Sequence, residues 1–236
     1  MDLKEYIYPG DELDLFSNAK NWKRYFSKRL KKYILGNVLE VGAGNGGTTK
    51  LLINDSVENW LCLEPDIKLF HSLENKIKLG ELPSKTHAIQ GTINVIKEDT
   101  FDTIVYIDVL EHIEDDFDEI NKAAKLLSIG GKIIVLSPAY NWLYSPFDLS
   151  IGHFRRYDYK SLKKIESKSL KLIHYEYLDS VGTILNFLNK HILRNSYPTK
   201  KQITFWDKVI VTISKIIDPI INRRFGKSII GIYSKD

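Results

Sequence analysis

Residues 37–47 read NVLEVGAGNGG, and this stretch decides the fold. Asn37–Val41 is a short apolar run of the kind buried on both faces of a parallel sheet. Glycines 42, 44 and 47 follow as G-x-G-x-x-G, a strand-to-helix turn where backbone approaches a ligand closely. A helix is expected next, through Thr48–Ile53. Working outward, Trp60–Glu64 (WLCLE) reads as a second strand, with a helix from Asp66 to Lys78 behind it. Thr86–Gln90, Phe101–Ile107 (FDTIVYI) and Lys132–Ser137 (KIIVLS) supply three more strands. Asp115–Leu127 sets Phe117, Ile120, Ala124 and Leu127 on one helical face, and Gly130-Gly131 ends that helix. Such alternation implies an α/β domain with a parallel sheet covered by helices.

After Pro138 the rhythm changes. Residues 139–157 (AYNWLYSPFDLSIGHFRRY) form an aromatic loop without a period, Leu170–Leu178 a sixth strand and Ser228–Tyr233 a seventh. Between the last two strands, two helices joined at Pro198-Thr199-Lys200-Lys201 form an insert. The organisation expected is an N-terminal helical lid or extension at 1–33, a sheet domain at 34–182 and 225–236, and a helical insert at 183–224.

The 236 residues are 43% apolar and 27% charged, an ordinary globular balance that excludes disorder and collagen-like repeats. Cys62 stands alone, so no disulfide forms within the chain and no multi-cysteine zinc site exists. Histidines 71, 87, 174 and 191 show no cluster spacing, and no metal is expected. No apolar run reaches the roughly 18 residues of a membrane span. The opening MDLKEYIYPGDELDLF carries five acids and does not read as a signal peptide, so a cytoplasmic protein is expected. The net charge of +4 is segregated: seven basic residues and no acid at 19–32, ten acids at 98–119, and ten basic residues against three acids at 190–236. The basic ends are either solvated helix faces or contacts for an anionic partner, such as a membrane surface, nucleic acid or a phosphorylated substrate.

Nicotinamide, flavin and S-adenosylmethionine sites all use such a glycine turn, and Glu64, placed to accept from ribose hydroxyls, serves each of them. Glu40 separates them. A carboxylate two residues before Gly42 would repel a pyrophosphate, whereas the sulfonium and ammonium of S-adenosylmethionine would be held by it, directly or through water. Together, Glu40-x-Gly42-x-Gly44-x-Gly46 after an apolar strand, Glu64 closing the next, and Asp108-Val109-Leu110-Glu111-His112-Ile113 after the fourth resemble the class I S-adenosylmethionine-dependent methyltransferases. Gly130-Gly131-Lys132 fits as well, and the resemblance covers residues 34–140. It implies a doubly wound, mostly parallel seven-stranded sheet in the order 3-2-1-4-5-7-6 with the last strand antiparallel. It also implies that Glu40, Gly42, Gly44, Gly46, Glu64, Pro65, Asp108 and Val109 bind S-adenosylmethionine, with S-adenosylhomocysteine as product. Residues after the third strand border the adenine in that family; here Gln90, Gly91 and Thr92 stand where its usual acid would be, and the resemblance implies that they bind the cofactor, with Thr92 or Gln90 in place of that acid.

Acceptor residues must then follow strands four and five. His153 is the candidate general base, because histidine as a residue type titrates near neutral pH, and Glu111 is the second catalytic candidate. His112, Tyr140, Trp142, Arg155, Arg156 and Tyr157 are the candidate acceptor-binding residues, the arginines suiting a phosphate or carboxylate. Ser150-x-Gly152-His153-x-Arg155-Arg156-Tyr157 is similar to a loop of methyltransferases encoded among bacterial glycan and lipid enzymes. The function expected is methyl transfer to O or N of a small molecule, sugar or lipid-linked glycan. Alternatives are an NAD(P)-dependent oxidoreductase, for which Tyr159-x-x-x-Lys163 has the spacing, and a nucleic-acid-binding module, whose sheet would need exposed aromatics. In the insert, Trp206, Val209, Ile210, Ile213, Ile216, Ile217 and Ile220 form a stripe opposite Asp207, Lys208, Ser214 and Lys215. That stripe packs on the parent domain, pairs a homodimer, or meets an anionic membrane peripherally.

Overall fold

A computed structural model of the chain describes residues 15–97, 100–188 and 198–236. Its sheet has seven strands in the order β3-β2-β1-β4-β5-β7-β6, with β1 at Gly36–Val41, β2 at Val57–Glu64, β3 at Thr86–Gln90, β4 at Phe101–Ile107, β5 at Leu127–Pro138, β6 at Leu170–Leu178 and β7 at Ser228–Lys235. Strands β1 to β5 pair parallel, and β7 runs antiparallel between β5 and β6. The order reverses at β1 and β4, so the crevice at their carboxyl ends is where an open sheet of this kind takes its ligand.

Helices cover both faces. Helix α1 (Lys20–Leu30) buries Trp22, Tyr25, Phe26 and Leu30 against one face of the sheet. Helices α2 (Thr49–Leu52) and α3 (Ile67–Lys78) follow β1 and β2, and α3 is capped by Asp66, whose side chain accepts from Lys68 N and Leu69 N. Helix α4 (Asp116–Lys125) packs Ile120, Ala123 and Ala124 on the other face. Short helices α5 (Pro146–Ser150) and α6 (Tyr159–Lys164) lie between β5 and β6. Helices α7 (Ser180–Leu188), α8 (Lys200–Phe205) and α9 (Val211–Ile220) occupy the region before β7, with a π-helical turn at Trp206–Ile210 joining the last two. Among the described residues, no helix is long and apolar enough to cross a membrane.

Three expectations change. Strand β5 starts at Leu127, not Lys132: α4 stops at Lys125, Gly131 has no room for a Cβ beside Leu127 and Asp102, and the glycines lie inside the strand. Phe117 is exposed, so the core face of α4 is narrower than expected. In the insert the expected stripe divides: Trp206 and Ile210 are buried, but most of the rest of it does not pack on the parent domain. Asp207 and Ser214 point inward while Val209, Ile213, Ile216 and Ile220 stand in solvent. The reason is polar. Asp207 accepts from the N–H groups of Asn21 (3.2 Å) and Trp22 (2.8 Å), capping α1 from outside. Asp218 accepts from Asp179 N (2.8 Å), Ser180 N (3.0 Å) and Tyr25 Oη (2.7 Å). Burying those bonded carboxylates fixes the rotation of the π-helical turn and α9 and leaves Ile213, Ile216 and Ile220 outside. His191, residues 1–14 of the expected lid and residues 189–197 of the insert lie outside the described residues.

Candidate active site

A cleft of about 1490 Å³ opens at the carboxyl ends of β1, β2, β4 and β5, larger than the roughly 300–1000 Å³ usual for one ligand. Gly42, Gly44, Glu40, Glu64, Pro65, Asp108 and Val109 line one end, and Glu111, His112, Asp148, His153 and Arg156 the other. Helix α1 leans over it with Lys20 and Lys23, and the insert closes a wall with Leu185, Ile203 and Trp206.

The glycine turn is built by its backbone angles. Gly42, Gly44 and Gly46 have φ of 68°, 57° and 74°, where a side chain is disfavoured. A Cβ on Gly42 would also sit 2.6 Å from Val109 Cγ2. Gly42→Ala should therefore destabilise the fold by about 2 kcal/mol, read as a fall of roughly 4–8 °C in melting temperature. A melting curve coincident with wild type would show that Val109 yields freely. Gly46 plays a different part from the one expected: a Cβ there would meet Leu73 at 2.8 Å, so it packs the turn on α3 and stands off the cleft.

The acids differ in what holds them. Glu40 Oε2 accepts from Thr49 Oγ1 (2.6 Å) and Trp60 Nε1 (2.8 Å), so this carboxylate also anchors α2 to β2. Burial lifts its carboxyl to about 7 against those bonds. Glu64 accepts from Gly44 N (2.7 Å) on one oxygen and Asp66 N (2.9 Å) on the other, and burial lifts it to about 7 as well. Asp108, at φ 53°, has accessible surface inside the cleft yet is enclosed by protein; that enclosure raises it to about 6, while Lys227 and Lys23 pull the other way. Gln90, Gly91 and Thr92 sit at the end of β3 outside the cleft lining, where Gly91 N donates to the Glu64 carbonyl (3.1 Å).

At the other end, Phe154 N donates to the Glu111 carbonyl (2.8 Å), lacing the loop after β5 to the turn after β4. Asp148 gathers the loop. It accepts from Arg156 Nε (2.8 Å) and Nη2 (3.0 Å), from Ser145 N and Oγ (both 2.8 Å), and lies 3.0 Å from His153 Nδ1. Burial alone would raise Asp148, but His153, Arg156 and Ser145 together hold it well below the usual carboxylate range. Glu111 is fully buried, accepting from Ser137 Oγ (2.9 Å), and burial with nearby Asp108 pushes its carboxyl well up. Burial and His153 lower His112 to about 4.

The remaining acceptor candidates lie elsewhere. Arg155 is turned to the backbone and Asp116, donating to the Ile113 carbonyl (3.0 Å) and pairing with Asp116 (2.9 Å). Tyr157 is buried and donates to Asp116 (2.7 Å). Tyr140 stacks on Trp142, Tyr177 and Phe225 at 5.5, 5.1 and 5.6 Å, away from the cleft lining. Tyr159 and Lys163 lie on α6 outside the cleft, Lys163 paired with Glu166 at 2.8 Å. Lys23, Lys227 and Asp148 line the cleft and Ser137 bonds Glu111 behind it, and sequence reading singled out none of them. Only Asp148 carried a signal, as the third helical residue after Ser145-Pro146 in a capping box.

Residues 39–133 match the family described as "Methyltransferase domain". Solved structures of like fold include an S-adenosylmethionine-dependent methyltransferase from Clostridium acetobutylicum (TM-score 0.56, 12% identity, 92% of each chain covered). Coclaurine N-methyltransferase bound to N-methylheliamine and S-adenosylhomocysteine is another (TM-score 0.61, 13% identity, 92% of this chain and 72% of that one). A third is the [4+2]-cyclase SpnF (TM-score 0.61, 11% identity, 96% and 95%). No curated protein matches significantly by sequence.

Proposed function

We propose that this chain, whose residues 39–133 match a methyltransferase domain, is a class I methyltransferase that uses S-adenosylmethionine to methylate a hydroxyl or amine of a small-molecule, sugar or lipid-linked acceptor. One observation carries the reading: a single cleft joins three acids at the ends of β1, β2 and β4 to the Glu111, His112 and His153 cluster. The residues suit the cofactor, since Glu40, Glu64 and Asp108 provide acceptor oxygens and negative charge where a sulfonium, an ammonium and ribose hydroxyls need them. When bound, the cofactor supplies an electrophilic methyl carbon. Glu64 holds the ribose, the Gly42–Gly44 backbone admits the ligand, and Asp108 with Glu40 favours its cationic end. Glu111 and His153 activate the acceptor, oriented by Ser137 and Asp148, and His112 lines the same end. Residues of α7 and α8 and Trp206 line the cleft beside these groups. Calorimetry should give micromolar binding of S-adenosylmethionine or its demethylated product, about −8 kcal/mol. Tight NADH binding with none of S-adenosylmethionine would mark an oxidoreductase instead.

A lipid-linked acceptor is favoured by the outer face of the insert. Ten of the 22 exposed large apolar side chains among the described residues fall within 184–225, among them Ile216 at 66% and Ile220 at 74% exposure. Lys200, Lys201, Lys208 and Arg224 are exposed on the same segment, while its two described acids, Asp207 and Asp218, are buried and bonded. A second copy would bring cations against cations, whereas an anionic bilayer answers both the apolar ridge and the charge. The protein should sediment with phosphatidylglycerol vesicles and not with phosphatidylcholine ones, and Ile213→Glu with Ile216→Glu should weaken that partition at least tenfold. A concentration-dependent dimer with no vesicle binding would overturn this placement.

A further inference from the structure

Glu111 and His112 on the turn after β4 come together with His153 on the loop after β5, one ligating atom of each lying within 4.8 Å of the others. Glu111 Oε1 is buried without a hydrogen-bond partner, its other oxygen being taken by Ser137 Oγ. His153 Nε2 faces that orphaned oxygen at 3.9 Å, too far for a direct hydrogen bond. Asp148, ion-paired to Arg156, can only accept, so His153 Nδ1 donates to it and Nε2 is the ring nitrogen left facing Glu111. Among the described residues, Glu111 Oε1 and His153 Nε2 thus face one another across a buried gap with no hydrogen bond between them.

We propose that Glu111, His112 and His153 form a binding site for a divalent first-row cation such as Mn²⁺ or Zn²⁺, open on the cleft side to the acceptor's oxygen. Two imidazoles and one carboxylate suit such an ion better than Ca²⁺, which takes oxygen ligands. The Asp148–His153 contact supplies the carboxylate–histidine support that holds a ligating ring in one tautomer and orientation. His112 packs edge-on against His153, with ring centroids 4.5 Å apart, so the two rings converge from different elements. The cleft opens beside all three residues, leaving coordination positions for a second ligand. An acceptor hydroxyl bound there becomes more acidic and releases its proton to solvent, and His153 holds the cation rather than that proton. This deepens the proposed function and rests on the acceptor occupying this end of the cleft.

The test needs no acceptor. Chelator-stripped protein is titrated with Mn²⁺ and followed by electron paramagnetic resonance, with S-adenosylmethionine affinity measured on each sample. Wild type should bind one Mn²⁺. Glu111→Gln and His153→Gln should each weaken it at least tenfold with S-adenosylmethionine affinity retained, and Asp118→Asn on the exposed acidic face should leave it unchanged. Binding that is absent, or equal in wild type and both site variants, overturns the cation site while leaving the methyltransferase reading intact. Stoichiometric Mn²⁺ without S-adenosylmethionine binding would instead uphold the cation and overturn the cofactor reading. Should Glu111→Gln fail to fold, His153→Gln decides alone, because its loss leaves the Glu111–Ser137 bond and the Asp148–Arg156 pair in place.

Discussion

Glu64→Ala is expected to weaken S-adenosylmethionine binding by about 2–4 kcal/mol, roughly 30- to 800-fold, through the loss of charge-assisted bonds to two ribose hydroxyls. The carboxylate sits at the end of β2 with only 4% of its surface exposed, so water does not replace it cheaply. The same side chain ties Gly44 N and Asp66 N, so the variant also releases the glycine turn. Glu64→Gln keeps one acceptor oxygen and should lose less. The pH dependence has a definite sign. Ribose hydroxyls donate to the ionised form, and burial lifts Glu64 to about 7. Affinity should therefore fall as pH drops below about 7, by up to tenfold per unit for one such group. Folding stability moves the other way. The folded carboxyl binds a proton that the unfolded chain has released, so the contribution is fully present at low pH and is lost as pH rises through about 7. Glu40, also lifted to about 7, adds to both trends. Calorimetry at pH 6, 7 and 8 would measure the affinity, and wild-type affinity in Glu64→Ala would remove this residue from the cofactor site.

How far the sequence foretold this depends on how local the physics is. Strands β3, β4 and β6 match the expected bounds to the residue, because a strand's limits follow from its own residues and the turns beside it. The glycine turn was legible because positive φ at three positions within five residues demands glycine. The rotation of α9 was not. Its isoleucine stripe has the periodicity of a buried face, yet Asp207 and Asp218 reach donors on Asn21, Trp22 and Tyr25, almost two hundred residues back. No local pattern reveals a carboxylate whose partner is that distant. The acceptor end behaved the same way. Glu111 and His112 announced themselves beside strand four, but their meeting with His153 depends on how the loop after β5 folds back, and Asp148, which organises that loop, read only as a helix-capping residue. Arg155 and Tyr157 misled for a related reason: residue types suited to ligands were spent on Asp116 to hold the loop down.

That division gives the sharpest test of the acceptor loop, because two neighbouring side chains should fail in opposite ways. Asp148→Ala strips the partner from Arg156, which is 6% exposed and draws its charge-assisted bonds from this one carboxylate. Removing one member of a buried ion pair costs about 3–5 kcal/mol, since the survivor's charge stays buried without compensation. Asp148→Ala should accordingly melt roughly 6–20 °C below wild type, and activity should fall with the folded fraction. His153→Gln leaves the Asp148–Arg156 pair whole, so its melting temperature should stay near wild type. Its turnover on the acceptor should still fall roughly hundredfold or more, the scale of losing a group that activates the nucleophile. Cofactor affinity should change by less than about 1 kcal/mol in His153→Gln, because the ring stands at the far end of the cleft from Glu64 and the glycine turn. Stability and activity are thus separable within five residues of sequence. If His153→Gln instead keeps full turnover, or loses stability and cofactor binding together as Asp148→Ala does, the loop is scaffold throughout and the acceptor is activated elsewhere in the cleft.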